Sequence, residues 1–142
     1  MKKVFLDTNI LFSYIYSYPK ESVSSFIFYL EEKKKIKLFA SEIVKQELLK
    51  NIKIKIEDKV DMFYNTISRL TILLDVTFDK LYEYQSINKL PENDRIILTT
   101  AIFHKMDYFI TGNVKDFKEL FNKQIMNTTI LNQRDFINLF IK

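Results

Sequence analysis

Cysteine is absent from this 142-residue chain. That removes disulfides and every thiolate metal site from consideration. Histidine occurs once, at His104, so a zinc site built on imidazoles, or a Ser-His-Asp triad, would have to rest on that one side chain. Glycine also occurs once, at Gly112. No glycine-rich phosphate loop can form, and the P-loop and dinucleotide-fold readings fall with it. There are two prolines, no linker-like or low-complexity tract and no internal repeat. No apolar run approaches the ~18 residues a membrane span needs. Lys2 and Lys3 are followed by only Val4, Phe5 and Leu6 before Asp7, which does not read as a secretory leader. These absences lead to one domain over residues 1–142, in a cytoplasmic protein with no membrane partner.

What the chain does contain is ordinary for a globular protein: 47% hydrophobic residues, enough for a real core, and 28% charged. With 18 acidic residues and so little nitrogen or sulfur to offer, a metal site would be oxygen-rich and would suit Mg²⁺ or Mn²⁺. The net charge of +4 mildly favours a polyanionic partner.

The most informative stretch is Lys3 to Leu11. Val4, Phe5 and Leu6 read as a short buried strand, Asp7 ends it, and Thr8 and Asn9 are good caps for the apolar helix that follows. A carboxylate at the carboxyl end of a buried strand has little structural use, because leaving it unpaired there costs several kcal/mol. In open α/β sheets that edge is where ligands bind.

The same alternation runs down the chain. Helices are expected over 10–18 and 21–34, and strands over 36–40, 71–74, 108–111 and 128–131. Further helices are expected from Ser41 to about Leu49, over 59–70 and 77–84, from Asp94, over 114–121, and after Asn132. Residues 51–56 alternate Ile and Lys, which is a strand period, and read as a loop or irregular helix start. Lys33 to Lys35 read as a solvated helix end. The pattern implies an α/β three-layer sandwich, with a parallel, roughly five-stranded sheet flanked by helices.

Asp7, Glu47, Asp94 and Asp116 then fall near strand ends or helix starts on one edge, while Asp107 falls on the other. Taken singly, each has a bland reading: Asp94 and Asp116 as helix caps, Glu47 as a surface helix residue. Together, carboxylates repel, and a divalent cation relieves that repulsion while lowering the pKa of a bound water. Such a site suits phosphodiester hydrolysis. His104 lies far along the helix that Asp94 opens and reads as structural.

Phe5-Leu6-Asp7-Thr8-Asn9-Ile10-Leu11 resembles the opening of PIN-domain ribonucleases, the family that includes VapC-type toxins. Ser41 to Leu48, with Glu47, resembles that family's second motif. Asn93 to Ala101, with Asp94, resembles the third. Asp107 to Phe117 resembles the fourth, and Thr129 to Phe136 the closing strand and helix. The resemblance spans the whole chain. It implies a PIN-like fold and a Mg²⁺- or Mn²⁺-dependent endoribonuclease whose metal ligands and catalytic residues are Asp7, Glu47, Asp94 and Asp116. Many members carry Asp directly after Thr-Gly, where this chain has Asn113; some use an acid three residues on, here Asp116. Either Asp116 completes the site or Asn113 contributes a carbonyl oxygen. Thr8, Thr111 and Asn113 would stand behind the ligands. The resemblance further implies an RNA substrate, a small antitoxin partner and a homodimer formed through Phe26, Phe28 and Tyr29 or the helix around Phe63. The alternative is a non-catalytic RNA- or protein-binding module on the same fold.

Overall fold

The computed structural model describes residues 1–77 and 85–141. Its centre is a six-stranded sheet in the order β3-β2-β1-β4-β6-β5. β1 (Lys2–Leu6) lies between β2 (Ile36–Ser41) and β4 (Tyr108–Ile110), parallel to both. β3 (Thr71–Leu73) extends one side in parallel. β6 (Thr128–Leu131) extends the other, and the two-residue β5 (Gln124–Ile125) pairs with it antiparallel as an edge.

The central strands carry apolar runs, residues 4–6 in β1 and 38–40 in β2, because both their faces are covered. Val4, Phe5 and Leu6 are fully buried, and Phe5 stacks on Phe109 with ring centroids 5.5 Å apart. Helices α1 (Thr8–Ser17) and α2 (Val23–Glu32) connect β1 to β2, and α3 (Glu42–Lys55) and α4 (Val60–Ile67) connect β2 to β3. Beyond β3 come α5 (Gln85–Asn88), α6 (Glu92–Phe103), α7 (Val114–Phe117) and α8 (Gln133–Asn138). Among the described residues no helix is long and apolar enough to cross a membrane.

Several boundaries differ from the sequence expectation for local reasons. α2 is shorter than 21–34. Ser22 and Ser25 form a capping box at its start, and at its end Lys35 N donates to Leu30 O and Lys34 N to Glu31 O. That is a Schellman closure with Lys34 at φ 58, in the left-handed region usually given to glycine. α6 closes the same way, with Met106 N on Ala101 O, Lys105 N on Ile102 O and Lys105 at φ 60.

The alternating stretch 51–56 is not a loop: α3 runs unbroken to Lys55. Ile52 completes a buried row with Val44 and Leu48, while Ile54 simply projects into solvent. Phe28 and Phe63, expected on a surface helix face, are core residues; the exposed rings beside them are Tyr29 and Tyr64. The helix expected over 77–84 lies, apart from Thr77, outside the described residues.

Candidate active site

Strand order reverses between β1 and β4, the place where doubly wound sheets open a crevice at their carboxyl edge. Asp7 ends β1 there. Its backbone N–H donates to Ile110 O of β4 at 3.0 Å, which sets it beside Thr111. The Asp7 side chain caps α1, accepting from Thr8 N at 2.8 Å, and its other oxygen accepts the Thr111 hydroxyl at 2.7 Å. The cap is therefore the acid itself rather than Thr8 or Asn9. Asn9 ties the β4–α7 turn instead, accepting from Gly112 N at 2.9 Å.

Glu47 lies in the second turn of α3 and reaches back over the start of α1. It accepts the Thr8 hydroxyl at 2.8 Å and the Asn93 amide at 3.2 Å. Asp94 is not a helix cap. α6 begins at Glu92 with Pro91 in the N-cap position, so Asp94 sits within the first turn with its carboxylate free to face the crevice. Acids in a first turn also suit the positive end of the helix dipole.

Asn113 caps the short α7, its side-chain oxygen accepting from Asp116 N at 3.2 Å. Its amide nitrogen then faces the acids, 2.9 Å from Asp116 Oδ2 and 3.5 Å from Asp94 Oδ2. The Asn113 carbonyl oxygen is thus already engaged, and the residue bridges two carboxylates as a donor.

Asp7, Glu47 and Asp94 share one open cavity of about 510 Å³, together with Thr8, Asn93 and Asn113. Asp116 stands behind Asn113 and does not line it. The cost of gathering these charges shows in their protonation. Burial pushes the Asp7 carboxyl up to about 6, against the pull of Thr111 and Thr8 and with a further push from Glu47. Asp94 rises to about 7, through burial first and then the charges of Asp7, Asp116 and Glu47. Two carboxylates poised near neutrality inside a cleft are a functional signature more than a structural one.

The chain's match to the sequence profile described as PIN domain runs over residues 4–128. This chain belongs to the PIN domain family. Solved structures agree on the fold. A chain of the VapBC2 complex from Rickettsia felis, bound to a DNA fragment from its promoter, superimposes with a TM-score of 0.65 at 24% identity, covering 92% of this chain and 98% of that one. A chain of a toxin-antitoxin complex from Klebsiella pneumoniae gives a TM-score of 0.56 at 22% identity, covering 89% and 95%. Curated proteins give no match.

In this PIN domain the donor chemistry suits a divalent cation: the carboxylates are hard oxygen donors, and their mutual repulsion is what a cation relieves. Among the described residues, however, no three of the acids stand close enough to grip one ion as the side chains lie. Glu47 is drawn aside by Thr8 and Asn93, and Asp116 by Asn113. Bringing Glu47 or Asp116 onto an ion held by Asp7 and Asp94 would require that carboxylate to exchange its amide or hydroxyl donors for the cation.

Asn93 was not anticipated from the sequence, although it directly precedes Asp94; neither were Phe12, Lys50 and Asn51, which line the same cavity with Lys55. Phe12 and Asn51 lie one helical turn beyond Thr8 and Glu47, a spacing that could have flagged them. His104 is remote, at the end of α6, with Nε2 3.3 Å from Leu74 O.

Proposed function

We propose that this PIN domain is a metal-dependent endoribonuclease, with Asp7, Glu47, Asp94 and Asp116 as its acids. The observation that supports it best is the meeting of Asp7, Glu47 and Asp94 in one cavity at the β1/β4 switch point, two of them with raised pKa values. Asp7 and Asp94 would hold Mg²⁺ or Mn²⁺ directly, and Glu47 and Asp116 would complete the shell or orient the attacking water. When bound, the cation supplies an acidified water and neutralises charge on the phosphoryl oxygens. Thr111 and Thr8 hold Asp7 and Glu47 in place, and the Asn113 amide keeps Asp94 and Asp116 close despite their like charge. Purified protein is expected to cut RNA with Mg²⁺ or Mn²⁺ and not in excess chelator, and Asp7→Asn to lose cleavage while remaining folded. Full activity in chelator would refute the mechanism.

The biological role we infer is that of a toxin silenced by a small antitoxin. It is supported by the solved neighbours, which come from a VapBC2 complex and a toxin-antitoxin complex. Expression should slow growth, and co-expression of a short neighbouring reading frame should restore it.

One observation favours a second reading, a non-catalytic binding module: the acids are not pre-gathered around a cation position. Calorimetry separates the two. The nuclease binds Mn²⁺ and loses that heat on Asp94→Asn, whereas the module gives none in either form.

A further inference from the structure

Two rows of side chains lead away from the acids together. On α1, Thr8, Phe12 and Tyr16 recur every four residues on one face, each step advancing about 6 Å. On α3 and the turn beyond it, Glu47, Asn51, Lys55 and Lys59 keep the same spacing. The rows are tied rung by rung. Thr8 donates to Glu47 at 2.8 Å, Lys55 Nζ lies 5.5 Å from the centre of the Phe12 ring, and Lys59 Nζ lies 5.9 Å from that of Tyr16. Phe12 and Tyr16 stack on each other, centroids 6.1 Å apart and planes 13° from parallel. Phe12, Asn51, Lys55 and the neighbouring Lys50 line the acid cavity; Tyr16, 58% exposed, continues past its mouth.

We propose that this furrow between α1 and α3 is a subsite for single-stranded RNA, in which Lys50 and Lys55 hold backbone phosphates beside the cut bond and the Phe12–Tyr16 ladder stacks a base. That the strand is RNA rests on the nuclease reading; the furrow itself rests on its charge and rings. Acids alone repel a polyanion, so a nucleic acid reaching them needs cations at the rim, and Lys50 and Lys55 are the exposed ammonium groups in the cavity wall. Tyr16 is more than half exposed even with Phe12 stacked beside it and Lys59 Nζ 5.9 Å from its centre, so ring surface stays open to a base, and only an unpaired base can reach it. Lys59 has a different task. Its ammonium donates to the carbonyls of Ile15 (3.2 Å), Tyr16 (2.7 Å) and Tyr18 (3.1 Å), which closes the end of α1 and fixes Tyr16. Lys53, exposed on α3 but not part of the cavity wall, is the internal control.

The test is anisotropy of a fluorescein-labelled single-stranded RNA oligonucleotide with the whole chain in chelator, across a salt series, beside a duplex of the same sequence. Tyr16→Ala should weaken single-strand binding roughly 5- to 150-fold, and Tyr16→Phe, which keeps the ring, should restore it. Lys50→Gln with Lys55→Gln should weaken binding and lower the salt slope by about 1.4, from about 0.7 per lost phosphate contact. Lys53→Gln should change neither. Unaltered affinity and slope in the double lysine variant, or a duplex bound as tightly as the single strand, would overturn the subsite. Binding that follows this pattern in a chain that never cuts RNA would sink the nuclease reading and leave the furrow standing; metal-dependent cleavage indifferent to all these changes would do the reverse.

Discussion

Thr111 donates its hydroxyl to Asp7 across the ends of the two parallel strands between which strand order reverses, a 2.7 Å bond between a fully buried donor and a carboxyl that is 4% exposed. Burial raises that carboxyl's pKa, and the hydroxyl opposes the rise. Burial sets the rise and the bond limits it, so the bond helps to fix how readily Asp7 is charged and how readily a cation could be held.

Thr111→Val keeps the shape and removes the donor. Asp7 should then titrate above its present value of about 6, and the pH at which activity reaches half its maximum should move upward. Stability at neutral pH should fall by about 1–3 kcal/mol, because a charged acceptor loses its partner. Thr111→Ser should recover both. A pH–rate profile with parallel thermal melts reads the outcome; an unmoved profile would mean that Thr111 is a spacer.

Asp7→Asn should separate stability from activity. An amide can accept from Thr8 N and donate to the Thr111 hydroxyl oxygen, so both contacts are kept while the buried charge goes, although the Thr111 hydroxyl proton loses its acceptor. In chelator above about pH 7 the variant should melt higher than the parent, by up to about 3 kcal/mol, since ionising a group shifted from 3.8 to about 6 costs that much in the fold. Cleavage should be lost. A variant that melts lower at that pH would show that the Asp7 charge is already compensated.

The sign of the pH dependence follows from the same shifts. Between the ordinary value of 3.8 and the raised values of about 6 and 7, the folded chain binds more protons than the unfolded one. Stability in chelator should therefore fall as pH rises through that window and level off above it. Millimolar Mn²⁺ should raise the melting temperature at about pH 8 and hardly at about pH 4, where the carboxyls hold protons. A metal effect equal at both values would place the ion elsewhere.

Lys34→Gly and Lys105→Gly should each stabilise the protein. Both positions close a helix at positive φ, where a Cβ costs about 1 kcal/mol. Each change should raise the melting temperature by roughly 2–4 °C. No gain would mean that the lysine stems pack well enough to offset the strain.

The alternation of buried strands and helices was legible because β1, β2, β4 and β6 are short apolar runs bounded by polar residues, and because Ser41 and Asn132 are cap residues standing where helices begin. Asp7 stood out as a charge ending such a run. Residues 51–56 misled because Ile52, Ile54 and Ile56 keep a strand period inside a helix, and only packing reveals that Ile52 is buried and Ile54 is 70% exposed. β5 has two residues and exists through its hairpin with β6, which no local pattern announces. The furrow was hidden because its rows lie on helices some forty residues apart in sequence, and spacing within one helix says nothing about the face of another. The choice between Asn113 and Asp116 could not be made from residue order; the Asn113 side-chain oxygen is taken up by the α7 cap, while Asp116 does not line the cavity.

The most direct measurement is an anomalous difference map from a crystal soaked in Mn²⁺. The expected result is a peak within coordinating distance, about 2–2.3 Å, of carboxylate oxygens from both Asp7 and Asp94, with Glu47 or Asp116 turned toward it. A well-ordered crystal with no peak between Asp7 and Asp94, at saturating Mn²⁺ and a pH above both their pKa values, would contradict it.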